Sequence, residues 1–361
     1  MFTTNKELMV KFITGNPKIN RREFLRRSSH ALLGLMVIPQ LNHDFLTPSN
    51  IISHQTPSHG RVISSTVDAY QSPSKTSTLV GTLWQDHVHP IHSVTVGDED
   101  PIYNRIWYEM GNEGFVHSGN IQPVRIQTNP EIDDIPGSGK LAEVTVPFTN
   151  AVWHPKSIHL ITYRLYYGSV FWVKSAVRDN NQKLWYKIAD DKWKIHYYVE
   201  AAHMHLYESE EITPISPNIP LDQKLIEIRL QDQAVIAYEK GNPVFFARTA
   251  TGARFIDGDY RTKPGTYITN RKRPSRHMAA GDPAAPNSYD LPGIPWVTYL
   301  TENGVSFHGT YWHNDYGKPR SHGCINLTPA DAQWIYRWSS PAVPFGEETY
   351  MEKTGTRVEI F

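Results

Sequence analysis

From residue 224 onward, apolar and polar positions alternate with a period of two. Ile226, Ile228 and Leu230 fall on one side, Glu227 and Arg229 on the other. An apolar run at 233–238 follows, and Glu239-Lys240-Gly241-Asn242 separates it from Val244-Phe245-Phe246-Ala247. That spacing predicts a meander of antiparallel strands joined by tight turns. From Leu79 the pattern is one of short apolar runs broken by Gly, Asp and Asn, as in small β barrels. Arg105-Ile106-Trp107-Tyr108-Glu109-Met110 and Gly114-Phe115-Val116-His117 read as two strands around a turn. Leu184-Trp185-Tyr186-Lys187-Ile188 and Tyr197-Tyr198-Val199-Glu200 echo them, so one small β module is expected twice, at 79–125 and 141–212.

Two stretches lack a period. Residues 41–78 have a Ser-, Thr-, Pro- and Asn-rich linker composition. Residues 270–293 carry Pro274, Pro283, Pro286 and Pro292 and read as a long loop between strands near 265–269 and 295–308. One helix is predicted near the end: Thr328 supplies the cap, Pro329 the first helical position, and Asp331 an acid in the first turn. Trp334, Ile335 and Trp338 share one of its faces.

Composition narrows the function. Lys plus Arg and Asp plus Glu each number 36, so the basic excess of a nucleic-acid binder is missing. Apolar residues make up 39%, enough for several cores, and 26 prolines with 23 glycines favour loops and strands over helices. The single cysteine, Cys324, has no partner for an internal disulfide, and is either a buried small hydrophobe or a reactive group.

The N-terminus points to export. Arg21-Arg22-Glu23-Phe24-Leu25 precedes an apolar run at 31–38, about half the ~20 residues of a spanning helix. This resembles a twin-arginine signal, here assigned to 1–40, and places the protein in the cell envelope (the wall or the outer face of the cytoplasmic membrane). Membrane contact is expected only through that segment if it is retained.

The chemistry concentrates at Phe307-His308-Gly309-Thr310 and Ser321-His322-Gly323-Cys324-Ile325-Asn326-Leu327. The connection 311–320 is long enough to return Cys324 to side-chain reach of His308. A neighbouring imidazole lowers a thiol's pKa from about 8.5 and holds the nucleophile in place. Gly323 keeps the adjoining backbone bare, so successive N–H groups at Gly323 and Cys324 can face an oxyanion. The following helix should help the thiolate only modestly, because its dipole field falls off within a turn.

His308, a dozen or so residues, then Ser321-His322-Gly323-Cys324-Ile325-Asn326 resembles the signature of the L,D-transpeptidase (YkuD-like) catalytic domain. Thr262-Lys263-Pro264-Gly265-Thr266-Tyr267 and Ala250-Thr251-Gly252 resemble its upstream segments. The resemblance covers 223–361 and implies a mainly β protein: a β-sandwich catalytic domain preceded by one or two small modules. The first of these resembles bacterial SH3-like barrels; the second is either SH3-like or another small β module. It further implies Cys324 as nucleophile, His308 as base, and an oxyanion hole at His322, Gly323 and Cys324. Arg320, Ser321, Asn326, Gly309, Tyr311 and Trp312 become candidates for substrate contact. Gly309 stands where some members have Ser, so a backbone carbonyl is the expected partner of His308. Loop 270–293 would correspond to a lid over the acyl-donor site. No cofactor is implied.

The resemblance implies a transferase that makes 3-3 cross-links between peptidoglycan stem peptides, with glycan strands as a further partner of the modules. The competing readings are an L,D-carboxypeptidase on the same scaffold and a non-catalytic wall-binding protein. His308, His313 and His322 near one thiol raise a zinc alternative, but close ligand pairing is lacking and no metal is expected. His87, His89 and His92 read as a solvated turn. Arg271, Lys272, Arg273 and Arg276 read as an exposed loop face, with stem carboxylates as the alternative. Trp296 and Tyr299 are expected in the core, and Tyr311 and Trp312 in a cleft wall.

Overall fold

The computed structural model describes residues 58–281 and 288–361, all within the unit Thr56–Phe361. The signal region expected at 1–40 lies outside the described residues, as do Pro283 and Pro286. The protein is mainly β, with three large sheets and one α-helix, Pro329–Trp338, among the described residues. No described helix is long and apolar enough to cross a membrane.

The first sheet starts before Leu79. His59–Val62 and Thr66–Tyr70 are two of its seven strands, which corrects the C-terminal half of the expected linker 41–78. Both are short, and the first buries a charge: Arg61 is 1% exposed. A period-two pattern has little room to show there.

The second sheet, from Lys140–Val144 to Met204–Leu206, repeats the first. With strands counted along the chain, both sheets run third, second, sixth, fifth, fourth, first, seventh. Trp107-Tyr108 and Trp185-Tyr186 sit on the two fifth strands, Ile106–Met110 and Leu184–Ala189. Val116 and Val199 are buried on the sixth strands. A single turn of 3-10 helix, Ser118–Asn120 or Ala201–His203, precedes each last strand. The echo in the sequence is therefore a repeat of topology, with Tyr and Val packing each small core.

The third sheet has eight strands, in the order Asn242–Arg248, Ala234–Glu239, Lys224–Arg229, Tyr350–Ile360, Gly265–Ala280, Tyr289–Tyr299, Ser306–Gly309 and Ile325–Leu327. Its first three strands are the predicted meander. Lys240 and Gly241, with φ of 52° and 77°, make the tight turn between Ala234–Glu239 and Asn242–Arg248. The helix is capped by Thr328, whose side chain accepts from the Asp331 N–H, and it buries Ala332, Ile335 and Trp338 against the sheet.

The expected loop 270–293 is instead most of a long hairpin, Gly265–Ala280 paired with Tyr289–Tyr299. Pro274 and Pro292 misled because they sit where a ladder is open on one side. Pro274 lies beyond Lys272, the last residue paired with Tyr350–Ile360. Pro292 and Pro295 precede Thr298, where pairing with Ser306–Gly309 begins. A proline there need not cost a ladder bond.

Arg61 ties the parts together. Its guanidinium donates to Gln122 Oε1 (3.0 and 2.8 Å), Asp86 Oδ1 (2.7 Å) and the Tyr311 carbonyl (2.8 Å). It lies 4.0 Å from the Tyr166 ring centroid, and Asp86 also takes Arg164. Both modules thus meet the 311–320 connection through one buried fork.

Candidate active site

Strand parity assembles the site. Ser306–Gly309 pairs in parallel with Ile325–Leu327, with Phe307 opposite Ile325. Parallel neighbours need a crossover, and residues 310–324 supply it. Phe307, Ile325 and Leu327 point into the main core. Ser306 and His308 alternate with Phe307, so they face the other way, and Cys324 arrives level with them just ahead of Ile325.

The Cys324 sulfur lies 3.7 Å from Ser306 Oγ and 3.7 Å from the Gly304 carbonyl. Protein surrounds the thiol while the residue stays partly open to solvent, so burial and access both act on it. Burial pushes its pKa up. Hydrogen bonding to His308 and the imidazole charge, then Ser306, outweigh burial and bring the thiol below its ordinary value. His308 is buried, and its Nδ1 lies 3.1 Å from the Gly309 carbonyl. A carbonyl only accepts, so Nδ1 carries the proton and Nε2 has the free lone pair.

The segments upstream in sequence buttress this loop. Gly252 N–H donates to Thr262 Oγ1 (2.8 Å), and Thr262 Oγ1 donates to the Gly323 carbonyl (2.9 Å). A Cβ on Gly252 would come within 2.8 Å of Gly323 Cα, so only glycine lets the two chains close up. Gly323 has φ +113°, and its need for glycine is conformational, since a Cβ would meet nothing nearer than 3.6 Å. Its N–H, expected to face an oxyanion, instead donates to Ser321 Oγ (3.1 Å). Among the described residues no acceptor meets the N–H of His322 or Cys324.

Other expectations divide. Trp312 packs on His308, with ring centroids 5.8 Å apart, but is not among the residues lining the thiol's cleft. Tyr311 does not line it either: it is 2% exposed, and its hydroxyl donates to the Pro292 carbonyl, which corrects its assignment to substrate contact. Ser321 is also turned inward, donating to the Cys324 carbonyl. Asn326 is buried with Nδ2 2.9 Å from His313 Nε2. Burial and the nearby Arg320 charge push His313 down to about 3, so that ring is neutral. Arg320 reaches Asp315 (3.0 Å), beside Lys318 and Tyr103 of the first module, and so braces the connection instead of lining the thiol's cleft. Gly309 is sterically fixed: a Cβ would lie 2.8 Å from Pro329 Cα and 2.7 Å from Pro295 Cγ. That accounts for glycine at this position. The His322 ring is exposed between Phe255 (4.7 Å) and Tyr260 (4.6 Å).

Cys324 and His322 open into a cleft of about 550 Å³ between the hairpin and the 302–305 turn. The second module forms part of its wall through Lys192, whose ammonium donates to the Ala279 carbonyl. Next to it, Asp191 takes Arg273 (2.6 Å) and Arg276, and buried His277 lies between Asp190 (2.5 Å) and Asp290. Burial works against charge on His277, but those two carboxylates hold its pKa above the ordinary value. The participation of Ser306, Lys192 and Asp191 carried no motif in the sequence.

The family model described as YkuD, L,D-transpeptidase catalytic domain, matches residues 223–360. No curated protein matches the chain. Similar solved structures include an Enterococcus faecium L,D-transpeptidase mutant, 20% identical, covering 38% of this chain and 50% of that one with a TM-score of 0.30. An L,D-transpeptidase from Mycobacterium smegmatis is 16% identical over 66% of this chain and 100% of that one, with a TM-score of 0.31. L,D-transpeptidase 3 from Mycobacterium tuberculosis is 17% identical over 61% and 81%, also at 0.31. The chain spans about half the length of the Enterococcus protein. With the family match laid over the sheet, the motif loop and the thiol–imidazole pair, residues 223–360 are a YkuD-type L,D-transpeptidase catalytic domain.

Proposed function

We propose that this protein is an exported L,D-transpeptidase that joins peptidoglycan stem peptides through a thioester on Cys324. The observation that carries the reading is the lowered thiol beside an imidazole whose Nδ1 is occupied by the Gly309 carbonyl. His308 Nε2 takes the thiol proton, and sulfur attacks the carbonyl of the third residue, a diamino acid, of a tetrapeptide stem. The oxyanion that forms is met by the free N–H groups of Cys324 and His322. His308 returns the proton to the departing D-alanine amine, leaving the tripeptide acyl group on sulfur. The side-chain amine of a second stem then attacks, His308 accepts its proton, and the thiol leaves with a 3-3 cross-link formed. An amine held in a groove beside the thioester competes with water through its effective concentration, an advantage on the order of several kcal/mol.

The repeated N-terminal modules fit SH3-like units that hold glycan strands near this site, and the arginine pair at Arg21-Arg22 fits delivery to the envelope by the twin-arginine route. The test is a defined disaccharide-tetrapeptide donor with an amine acceptor and mass readout. Cross-linked product in excess of free tripeptide is expected. Tripeptide alone at saturating acceptor would replace this reading with a carboxypeptidase.

A further inference from the structure

Strand alternation turns Lys272 away from Arg271 and Arg273, while the burial alternation changes phase between Pro274 and His277, so that Arg276 joins Arg273. Lys272 turns inward, fully buried, and its ammonium donates to the Tyr336 (2.6 Å) and Ser339 (2.5 Å) carbonyls at the end of the helix. Arg273 and Arg276 face the cleft side, where both are engaged by Asp191 of the second module. Arg271 is different. Its guanidinium lies over the Tyr299 ring, 3.9 Å from the centroid, and among the described residues it has no carboxylate partner. It lines the same cleft as Cys324.

The cleft lining carries Lys192, Arg271, Arg273 and Arg276 against one carboxylate, Glu302. A concave surface with that imbalance attracts anions. Asp191 already occupies two of the guanidinium groups, and Lys192 spends a proton on a backbone carbonyl. The contact with Tyr299 restrains the Arg271 guanidinium, so less freedom remains to be lost on binding. Its unspent donors match the two oxygens of a carboxylate.

We infer that Arg271 is a specificity residue that binds a free carboxylate of the donor stem and discriminates against the carboxamide form. The inference rests on the transferase reading for the identity of the ligand, but the recognition itself is a binding event separable from turnover. A stem built on a dicarboxylic diamino acid, the form used as ligand, offers three such groups: the terminal D-alanine carboxylate, the α-carboxylate of the second residue, and the side-chain carboxylate of the diamino acid. All present the same chemistry, and amidating them one at a time distinguishes them.

The experiment uses the full chain carrying Cys324→Ala, so that ligand is not consumed, and measures dissociation constants by calorimetry. The ligands are a tetrapeptide stem and its three monoamidated forms. One amidation should weaken binding about 10- to 100-fold, the range of a charge-assisted hydrogen bond. Adding Arg271→Gln should weaken the unmodified stem to the same level and leave nothing further to lose on that amidation. Arg271→Lys should recover only part, since an ammonium cannot make the fork. Equal affinity for all four ligands would overturn the inference. So would no measurable binding of any of them, or a loss on Arg271→Gln that is equal for every form. The fold of each variant is followed by circular dichroism. In parallel, the protein with Cys324 intact is assayed for D-alanine release from the same donors. Failure to release it from any donor would remove the transferase reading, while the binding series alone decides the role of Arg271.

Discussion

Replacing Arg61 tests whether the modules and the catalytic domain are joined as a single structure. Arg61→Met keeps most of the aliphatic stem and removes the fork. The change leaves Gln122 Oε1 without two donors and the Tyr311 carbonyl without one. Asp86 keeps its bond to the half-exposed Arg164 at 2.7 Å. An unsatisfied buried acceptor costs about 1–3 kcal/mol, and two are created. Relief from desolvating a guanidinium offsets part of this; breaking a buried charge pair costs about 3–5 kcal/mol when the remaining charge is left uncompensated. Because Asp86 is not abandoned, about 3 kcal/mol is expected. The assay is urea denaturation followed by tryptophan fluorescence and by circular dichroism, with coincidence of the two probes checked for so large a chain. Arg61→Lys should lose nearly as much, because one ammonium cannot serve Gln122, Asp86 and Tyr311 together. A loss below about 1 kcal/mol in both variants would refute the reasoning and show that the modules dock without this fork.

Gly309→Ala should destabilise the protein by about 1–3 kcal/mol, because its Cβ would press on the Pro329 backbone and the Pro295 ring. Turnover should fall with it, since the carbonyl orienting His308 belongs to the same residue; unchanged melting and unchanged rate together would contradict this. Alkylation of Cys324 by iodoacetamide should show a pH inflection below that of an ordinary thiol, as hydrogen bonding to His308 outweighs burial. Removing the imidazole with His308→Ala leaves burial as the larger influence and should move the inflection upward. The same inflection in both proteins would exclude His308 as the group that lowers the thiol.

Most of the candidate site was legible because it is local. His308, Gly323 and Cys324 sit in two short segments, and period-two alternation at Ile226 and Ile228 located the sheet that carries them. The repeat was legible because Trp107-Tyr108 and Trp185-Tyr186 occupy equivalent strands of identical topology. What failed depends on contacts distant along the chain. Prolines marked 270–293 as a loop, and only the sheet shows that Pro274 and Pro292 have an open side without a ladder partner. Tyr311 looked like a cleft residue beside its base, yet Arg61 and Pro292 draw it inward. The Gly323 N–H is taken by a serine two residues away, a detail of turn geometry that no pattern of residue types records.

The central claim is that sulfur of Cys324 carries the acyl group. Intact-protein mass spectrometry of the enzyme mixed with a tetrapeptide donor, without acceptor and quenched in acid, reads it directly. The account predicts a mass gain equal to the tripeptide acyl group, located on Cys324, together with release of D-alanine. With Cys324→Ala both should vanish while the fold is retained. D-alanine release that survives in the variant, or an adduct placed on any other residue, would contradict the account.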